Sequence, residues 1–442
     1  MTELNIEDLI YLKNQDLDKY LSEIHPMDVI DLFHNLNDLT MIKQIISNLS
    51  NEYIAKLLDF EDDQHKSILF NCINSKHHHD ILNIMSSNEL ADFIQTLDQE
   101  DHDYIINLID NKRDINQLLD YREDSAGSIM ATEFVNIFDN KTVLHTYEFL
   151  QENIEDNDLP YYLYITDYQN HLKGYLELKT LVSSSFDTLI KDITNYNVQS
   201  ININTDQEEV AHIFDKYDYL MIPVVDDDNV LVGVISMDDI IDVVKEETTE
   251  DIHRLAGLNA DEKVDGSLIS SVKSRLPWLL INLITACIAA TVISTYSATI
   301  QTVVILAAIN PIIAGISGNV GNQTMTLIVR SLVLKQINYQ NTLKIFFKEI
   351  SVGLSIGLIF ALILSLGCYL LYGNVYLGIV SGLAILLNLT IATSIGFLVP
   401  ITLNSLKVDP ALASSVFVSA TTDILGFLIF LSLATLLLPY LI

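Results

Sequence analysis

Hydrophobic positions change their spacing several times along this chain. Through residues 1–125 they recur at helical intervals: Val29, Ile30, Leu32, Phe33 and Leu36, then Ile54, Leu57 and Leu58, then Leu90, Phe93, Ile94 and Leu97. The runs are short and polar turns separate them, which predicts a superhelix of short antiparallel helices. His25–Pro26 and Ser87–Asn88–Glu89 have the residue types of helix starts. From 126 to 246 the pattern becomes strand, turn, strand, helix, and it occurs twice. Asp167, Gly174 and Leu178 recur as Asp226, Gly233 and Met237, each 59 residues later. Such a repeat predicts two α/β units that bury their sheets against each other. A polar helix follows over 238–262, with Asp239, Asp242, Glu246, Glu250 and His253 along one stripe. Five apolar stretches end the chain: Pro277–Tyr296, an interrupted Thr302–Val333, Ile345–Tyr372, Leu377–Leu403 and Ala411–Leu441. Each is long enough to cross a bilayer. The fold class is therefore multidomain. It comprises an α-helical N-terminal domain (1–125), a tandem α/β pair (126–246), a connecting helix and linker (238–270) and an all-α membrane domain of five transmembrane helices (271–442).

Charge divides along the same line. The chain holds 24 basic and 58 acidic residues, and residues 271–442 contain seven of the basic and three of the acidic ones. Residues 1–270 thus hold 17 basic and 55 acidic residues, a formal net of −38. Such a polyanion repels nucleic acid and anionic lipid and attracts cations. Cys72, Cys287 and Cys368 form no zinc or disulfide pattern. The opening stretch Met1–Tyr20 is polar and acidic, unlike a cleavable leader. The run His77–His78–His79 could bind metal, but a solvated loop is the commoner use of such a run.

Two features inside the apolar stretches point to chemistry. Asn310–Thr324 contains Pro311, Gly315, Gly318 and Gly321 with Asn319, Asn322 and Gln323. Unwound backbone is tolerated at that depth only where it is buried or lines water, so this stretch is expected to be broken, with freed carbonyls as ligands. Small residues also permit close helix packing. The second feature is Asp423, in Ser419-Ala-Thr-Thr-Asp423. An acid at mid-bilayer costs about 2.5–3.5 kcal/mol on insertion scales and is normally paired or functional. No Lys or Arg stands at matching depth, so a cation is its natural partner. Asp409 and Glu349 lie nearer the cytoplasmic ends and are expected to face water. The donors are all oxygen: Asp423, backbone carbonyls, and the hydroxyls of Thr324, Thr421 and Thr422. That set suits a hard divalent ion such as Mg²⁺ and does not by itself separate Mg²⁺ from Mn²⁺, Co²⁺ or Ca²⁺. Lys273, Arg275, Arg330, Lys335, Lys344, Lys348 and Lys407 fall on one side at every crossing. That places the N-terminal part in the cytoplasm and the C-terminus outside.

The repeated α/β units resemble a tandem pair of CBS domains. Gly233-Val-Ile-Ser236-Met-Asp-Asp239 matches that family's ribose-contacting pattern, which implies ATP or another adenine nucleotide held by Ser236 and Asp239. The first copy departs from it, with Glu177 and Thr180 at the polar positions. A purely structural pairing module is the other reading. The whole chain resembles the MgtE family of magnesium channels. The likeness rests on Tyr121–Met130, Thr249–Ala256, Arg275–Asn282, Gly318–Thr324, Asp409–Leu412 and Thr422–Asp423, in that order. It implies a homodimer in membrane lipid with the pore on its axis, Asp423 holding hydrated Mg²⁺, and Gly318, Asn319, Gly321, Asn322, Thr324, Ser419 and Thr422 lining the path. It also implies regulatory Mg²⁺ at Asp239, Asp242, Glu247, Glu250, Asp251 and Asp218, with a contribution from the region Asp98 to Asp103. Two alternatives stay open: a transporter of other divalent ions, and a membrane-anchored nucleotide sensor. An enzyme has little support, because no nucleophile–base pair or phosphate-cradling loop is present.

Overall fold

A computed structural model describes residue 20 and residues 24–36, 38–153, 161–260, 262, 264, 266–338, 340–412 and 415–442. Apart from Tyr20, the opening stretch Met1–Tyr20 lies outside the described residues. The chain divides into two compact units, Met1–Lys245 and Glu246–Ile442.

The first unit begins with eight short helices among the described residues: α1 (Pro26–Asn35), α2 (Leu39–Ile46), α3 (Asn51–Phe60), α4 (Asp63–Phe70), α5 (His78–Leu82), α6 (Ser87–Gln95), α7 (Gln99–Leu108) and α8 (Lys112–Leu119). Short helices need caps, and the sequence supplies them. The side chains of Asp38, Ser50 and Asp98 accept from the backbone N–H of Thr40, Tyr53 and Asp101. Each such cap contributes about 1 kcal/mol. The apolar positions read from the sequence, including Val29, Ile30, Phe33, Leu57, Leu58, Phe93 and Ile94, form one buried core.

Two three-stranded sheets follow among the described residues. The first contains β1 (Asn136–Phe138), β2 (Tyr162–Thr166) and β3 (Leu172–Glu177), with helices α9 (Val143–Asn153), α10 (Leu178–Ser183) and α11 (Ile190–Ile193). The second contains β4 (Ile201–Asn202), β5 (Met221–Val225) and β6 (Leu231–Ser236), with helix α12 (Gln207–Tyr217). In each sheet the first pair is parallel and the second antiparallel. The repeat extends to single atoms. Asp167 accepts from the N–H of Gln169 and His171, and Asp226 accepts from those of Asp228 and Val230. The turns use Asn170 and Asn229 at φ 61° and 64°, a conformation Asn tolerates. The copies then exchange backbone bonds: Leu172 N–H donates to Asn229 O at 3.0 Å, and Leu231 N–H to Asn170 O at 2.9 Å. One copy alone would leave these groups unpaired.

Helix α13 (Met237–Leu255) is shorter than the expected 238–262. Gly257 takes φ 74° and Leu258 N–H turns back to His253 O at 2.9 Å, a left-handed cap that stops the helix. The boundary between the two units falls inside α13.

Among the described residues, the second unit contains five helices long and apolar enough to cross a membrane: α14 (Leu268–Thr295), then, after the short α15 (Ser297–Thr302), α16 (Ile305–Val333), α17 (Thr342–Tyr372), α18 (Val375–Ser405) and α19 (Ser415–Leu436). A short helix, α20 (Leu438–Leu441), ends it. Helices α16 and α18 are half buried within the unit, whereas α14 and α17 show mostly apolar faces outward. The expected interruption of the second span is not found: α16 is one continuous helix of 29 residues with Pro311 inside it. Its backbone carbonyls are therefore largely engaged in the helix, and Gly321 serves packing instead. A Cβ at Gly396 on α18 would meet the Gly321 carbonyl, and a Cβ at Gly321 would meet Val418 at 2.8 Å. Close approach of helices through small residues replaces a hydrophobic driving force that lipid cannot supply.

Candidate ion pathway and cation sites

The polar residues inside the membrane unit gather where α16 meets α19. Asn322 Nδ2 donates to Ser419 Oγ at 3.1 Å, and Thr422 Oγ1 donates to Ser419 O at 2.9 Å. A Cβ at Gly318 would stand 3.7 Å from Thr422 Oγ1 and 3.8 Å from Ser419 Oγ, so Gly318, Asn322, Ser419 and Thr422 share one contact. Asp423 follows Thr422 in the next helical position and is half-buried. Asn322 Oδ1 is buried without a partner among the described residues.

Gly321 and Thr324 lie in the buried contact with α18 and α19. Asn319 is exposed, and with Gly315, Gln323, Thr326 and Arg330 it makes an exposed polar strip along α16. These residues stand at i, i+4, i+8, i+11 and i+15, one helix face. A strip of amides at mid-helix is costly against lipid. By contrast, the exposed face of α14 is Leu279, Leu280, Leu283, Ile284 and Ile288, which lipid accepts.

The end of α13 packs within the same unit. Leu255 joins Met325, Val329, Ala411 and Val418 in a small apolar cluster, one residue along α19 from Ser419. Arg254 bridges two acids, Glu250 one turn back and Asp409 before α19. Asp409 also accepts from Ala411 N–H at 2.8 Å, which fixes the turn into α19. The expectation that Asp409 faces water is thus corrected, because α13 supplies a guanidinium to it. Glu349 is corrected too. It is 3% exposed, with Lys348 Nζ at 3.2 Å. It lies one turn from Gly353, and tight packing of α17 on α18 at that glycine closes the helix face over it.

Beside this bridge, burial pushes the Asp251 carboxyl up to about 6, helped by the nearby charges of Asp409 and Glu247 and opposed by Arg330. Asp251 thus sits in the field of two further acids, with Arg254 paired to Asp409 and Arg330 acting on Asp251 itself. Arg254→Met is expected to release the end of α13. Hydrogen bonds to charged groups contribute about 1.5–3 kcal/mol each, so the docked population should fall by roughly tenfold or more. Disulfide yield in a Leu255→Cys, Val418→Cys protein measures this. An unchanged yield would show that the bridge does not hold the helix.

The other acids of α13 keep the helix face that their spacing gives them but do not share partners. Asp242 pairs with Lys245 at 2.6 Å in solvent, and His253 Nδ1 lies 2.9 Å from Ala260 O. Asp239 is tied down in the first unit. It accepts from Asn88 Nδ2 at 3.0 Å, Ser236 N–H at 3.1 Å and Ser236 Oγ. Burial raises its carboxyl to about 6. Asp218 is exposed and caps α12 in a left-handed conformation.

Around Asp239, the start of α6 meets the α/β pair. Ser87 Oγ donates to Glu133 at 2.8 Å, and Thr132 N–H donates to Ser87 Oγ at 2.9 Å. Lys66, almost fully buried, reaches Glu89 at 2.7 Å. Burial, with Glu89 next in effect, raises Asp59 to about 7. Asp59, Glu89, Glu133 and Asp239 therefore form a junction rich in acids. Sequence reading missed Asp59, Glu89 and Glu133 because they are distant in the chain and lie in no motif. The Asp98 to Asp103 region is placed on α7, where Asp98 acts as a helix cap.

A cavity in the α/β pair is lined by Tyr162, Tyr164, Tyr175, Tyr219, Gln199 and Met221 among others. Neither Ser236 nor Asp239 lines it.

Comparison with known proteins gives concordant matches. Residues 310–433 match a family model described as a divalent cation transporter, 190–246 a CBS domain model, and 11–124 an MgtE intracellular N domain model. The magnesium transporter MgtE of Thermus thermophilus is 32% identical over 96% of this chain and 95% of its own. That of Enterococcus faecalis is 36% identical over 74% of this chain and 72% of its own. Among solved structures, the soluble part of a magnesium transporter superposes with a TM-score of 0.50 at 30% identity, over 55% of this chain and 99% of that one.

Proposed function

This chain belongs to the MgtE family of magnesium transporters, and from that premise we propose that it is a Mg²⁺-gated Mg²⁺ channel whose ion path follows the α16–α19 contact. The observation that carries the path is the exposed polar strip of α16, on the helix whose Gly318 and Asn322 meet Ser419 and Thr422, the latter next to Asp423 along α19. A second copy facing that strip across a two-fold axis would cover it and enclose water. Each subunit would then present Asp423, Asn319 and Thr421 to a hydrated ion. Mg²⁺ retains its waters and is held through one or two carboxylates, which a symmetric pair of Asp423 supplies. Because α16 is unbroken, the protein ligands are side-chain oxygens. Gly321 and Thr324 act by packing the helices that carry those ligands.

The chain lies in the cell membrane with its N-terminal part in the cytosol. The basic flanks of the spans favour an extracytoplasmic C-terminus. An inside-negative potential then drives entry by about 4.6 kcal/mol per 100 mV for a divalent ion.

Gating rests on two acidic sites. One is the junction of Asp59, Glu89, Glu133 and Asp239. The other is the group of Glu247, Asp251 and Asp409, with Glu250 and Asp409 bridged by Arg254. Scarce Mg²⁺ leaves like charges facing each other, and abundant Mg²⁺ cancels the repulsion and favours the docked form. The ion shifts the equilibrium only by its differential affinity for that form. For ATP, the supporting feature is the tyrosine-lined cavity, with Ser236 and Asp239 outside its lining. Nothing in this reading requires catalysis.

Limited proteolysis of the full protein tests the gating. Millimolar Mg²⁺ should protect the junction between α6 and the α/β pair, and flux into proteoliposomes should fall as Mg²⁺ on the cytosolic face rises. Flux that ignores cytosolic Mg²⁺ would retain the pore and remove the sensor.

A further inference from the structure

We propose that the N-terminal helical domain holds a transition-metal site, of the kind that takes Zn²⁺ or Co²⁺, built from His34, Glu61, Asp62 and His65. His34 stands in the last turn of α1, Glu61 and Asp62 form the corner between α3 and α4, and His65 stands in the first turn of α4. One ligand atom from each of the four residues lies within 4.8 Å of every other. His34 Nε2 is 2.8 Å from Glu61 Oε1, and His65 Nδ1 is 2.8 Å from Asp62 Oδ2. The two imidazole rings are tilted together, with centroids 4.5 Å apart. A tetrahedral ion with bonds near 2.0–2.2 Å needs donors roughly 3.3 Å apart, so modest side-chain rotations complete the sphere.

A second observation points the same way. The Glu61 side chain is 2% exposed. A buried carboxylate requires compensation. Its partners are His34 and the Asp62 N–H at 3.2 Å, and among the described residues no Lys or Arg pairs with it. An ion between the imidazoles and the carboxylates supplies the missing positive charge.

The donor set also determines the class of ion. Two nitrogens and two oxygens suit Zn²⁺, Co²⁺ and related borderline metals. Mg²⁺ prefers oxygen throughout, as at the acidic sites above. The site is therefore chemically distinct from the transport path, and occupancy would fasten α1 to the α3–α4 corner. The consecutive histidines cannot substitute for it, because their rings have separate partners. His77 lies against Asn51, His78 against Tyr104 and Ile73 O, and His79 against Asp80 and Asp110.

The test uses full-length protein in detergent, freed of metal and held in millimolar Mg²⁺ to saturate the oxygen sites. Titration with Co²⁺ should give the visible absorption of a four-coordinate ion, at one ion per chain, displaced by Zn²⁺. A His34→Ala, His65→Ala protein should bind Co²⁺ roughly 100-fold more weakly, while His77→Ala, His79→Ala binds as the parent does. Equal binding by all three, or none by the parent, overturns the site. If the double variant fails to fold, histidine carbethoxylation of the parent, mapped by mass spectrometry, decides. Zn²⁺ should protect His34 and His65 while leaving His77 and His79 reactive. Uniform protection or no protection overturns the proposal.

Discussion

Asp423→Ala is expected to reduce Mg²⁺ flux into proteoliposomes by about two orders of magnitude or more, with the protein still folded. A carboxylate about 5 Å from a divalent ion is worth on the order of 6 kcal/mol at an effective dielectric near 20, and two such groups would act in a dimer. Part of that is offset by desolvation, but a loss of only about 3 kcal/mol already gives a hundredfold effect. Asp423→Asn should be nearly as severe, because size is kept and charge is lost. Asp423→Glu should retain a measurable fraction. The packing of α16 on α19 runs through Gly318, Asn322, Ser419 and Thr422, so removal of Asp423 leaves that contact in place. Wild-type flux in a folded Asp423→Ala protein would remove Asp423 from the ion path.

The second large effect is on stability. Burial and Glu89 raise the Asp59 carboxyl from 3.8 to about 7 in the folded protein. Below about pH 4 the group is protonated in both states and contributes nothing to the pH dependence. Between about pH 4 and 7 the folded state holds a proton that the unfolded chain has released, so stability falls as pH rises. Above pH 7 the full cost remains, roughly three units at about 1.4 kcal/mol each, or on the order of 4 kcal/mol. Asp59→Asn keeps an acceptor oxygen and removes the charge. Its thermal unfolding should match the parent near pH 4 and exceed it increasingly toward pH 8, by up to about 4 kcal/mol. Millimolar Mg²⁺ should narrow the gap, since an ion at the junction would neutralise the same charge. Parallel pH profiles for the two proteins would show that Asp59 is not the titrating group.

Much of this molecule was legible from spacing. The five spans, the short N-terminal helices and the 59-residue repeat are local or periodic patterns, and the backbone follows them because burial selects one period at a time. The end of α13 was placed seven residues too late. His253, Asn259 and Asp261 continue a polar pattern, while one glycine conformation at Gly257 decides where hydrogen bonding stops. The break expected in the second span was a misreading of glycine. In water-soluble chains Gly and Pro mark turns, but in an apolar helix backbone bonds must be kept, and glycine is used to bring helices together.

Asp423 could be singled out from the sequence because an acid in an apolar run is anomalous wherever the run folds. The same holds for the polar stretch Asn319–Gln323, which no lipid-facing helix would carry. The sequence alone thus determined the architecture and the membrane location, since each depends on residue type and period. Tertiary structure alone decided which acids meet. It joined Arg254 to Asp409 across 155 positions, Asn88 to Asp239 across 151, and His34 to Glu61 across 27, while it sent three consecutive histidines to three different partners. Cation sites are made by convergence in space, and convergence is set by how helices pack, which residue order along the chain does not reveal.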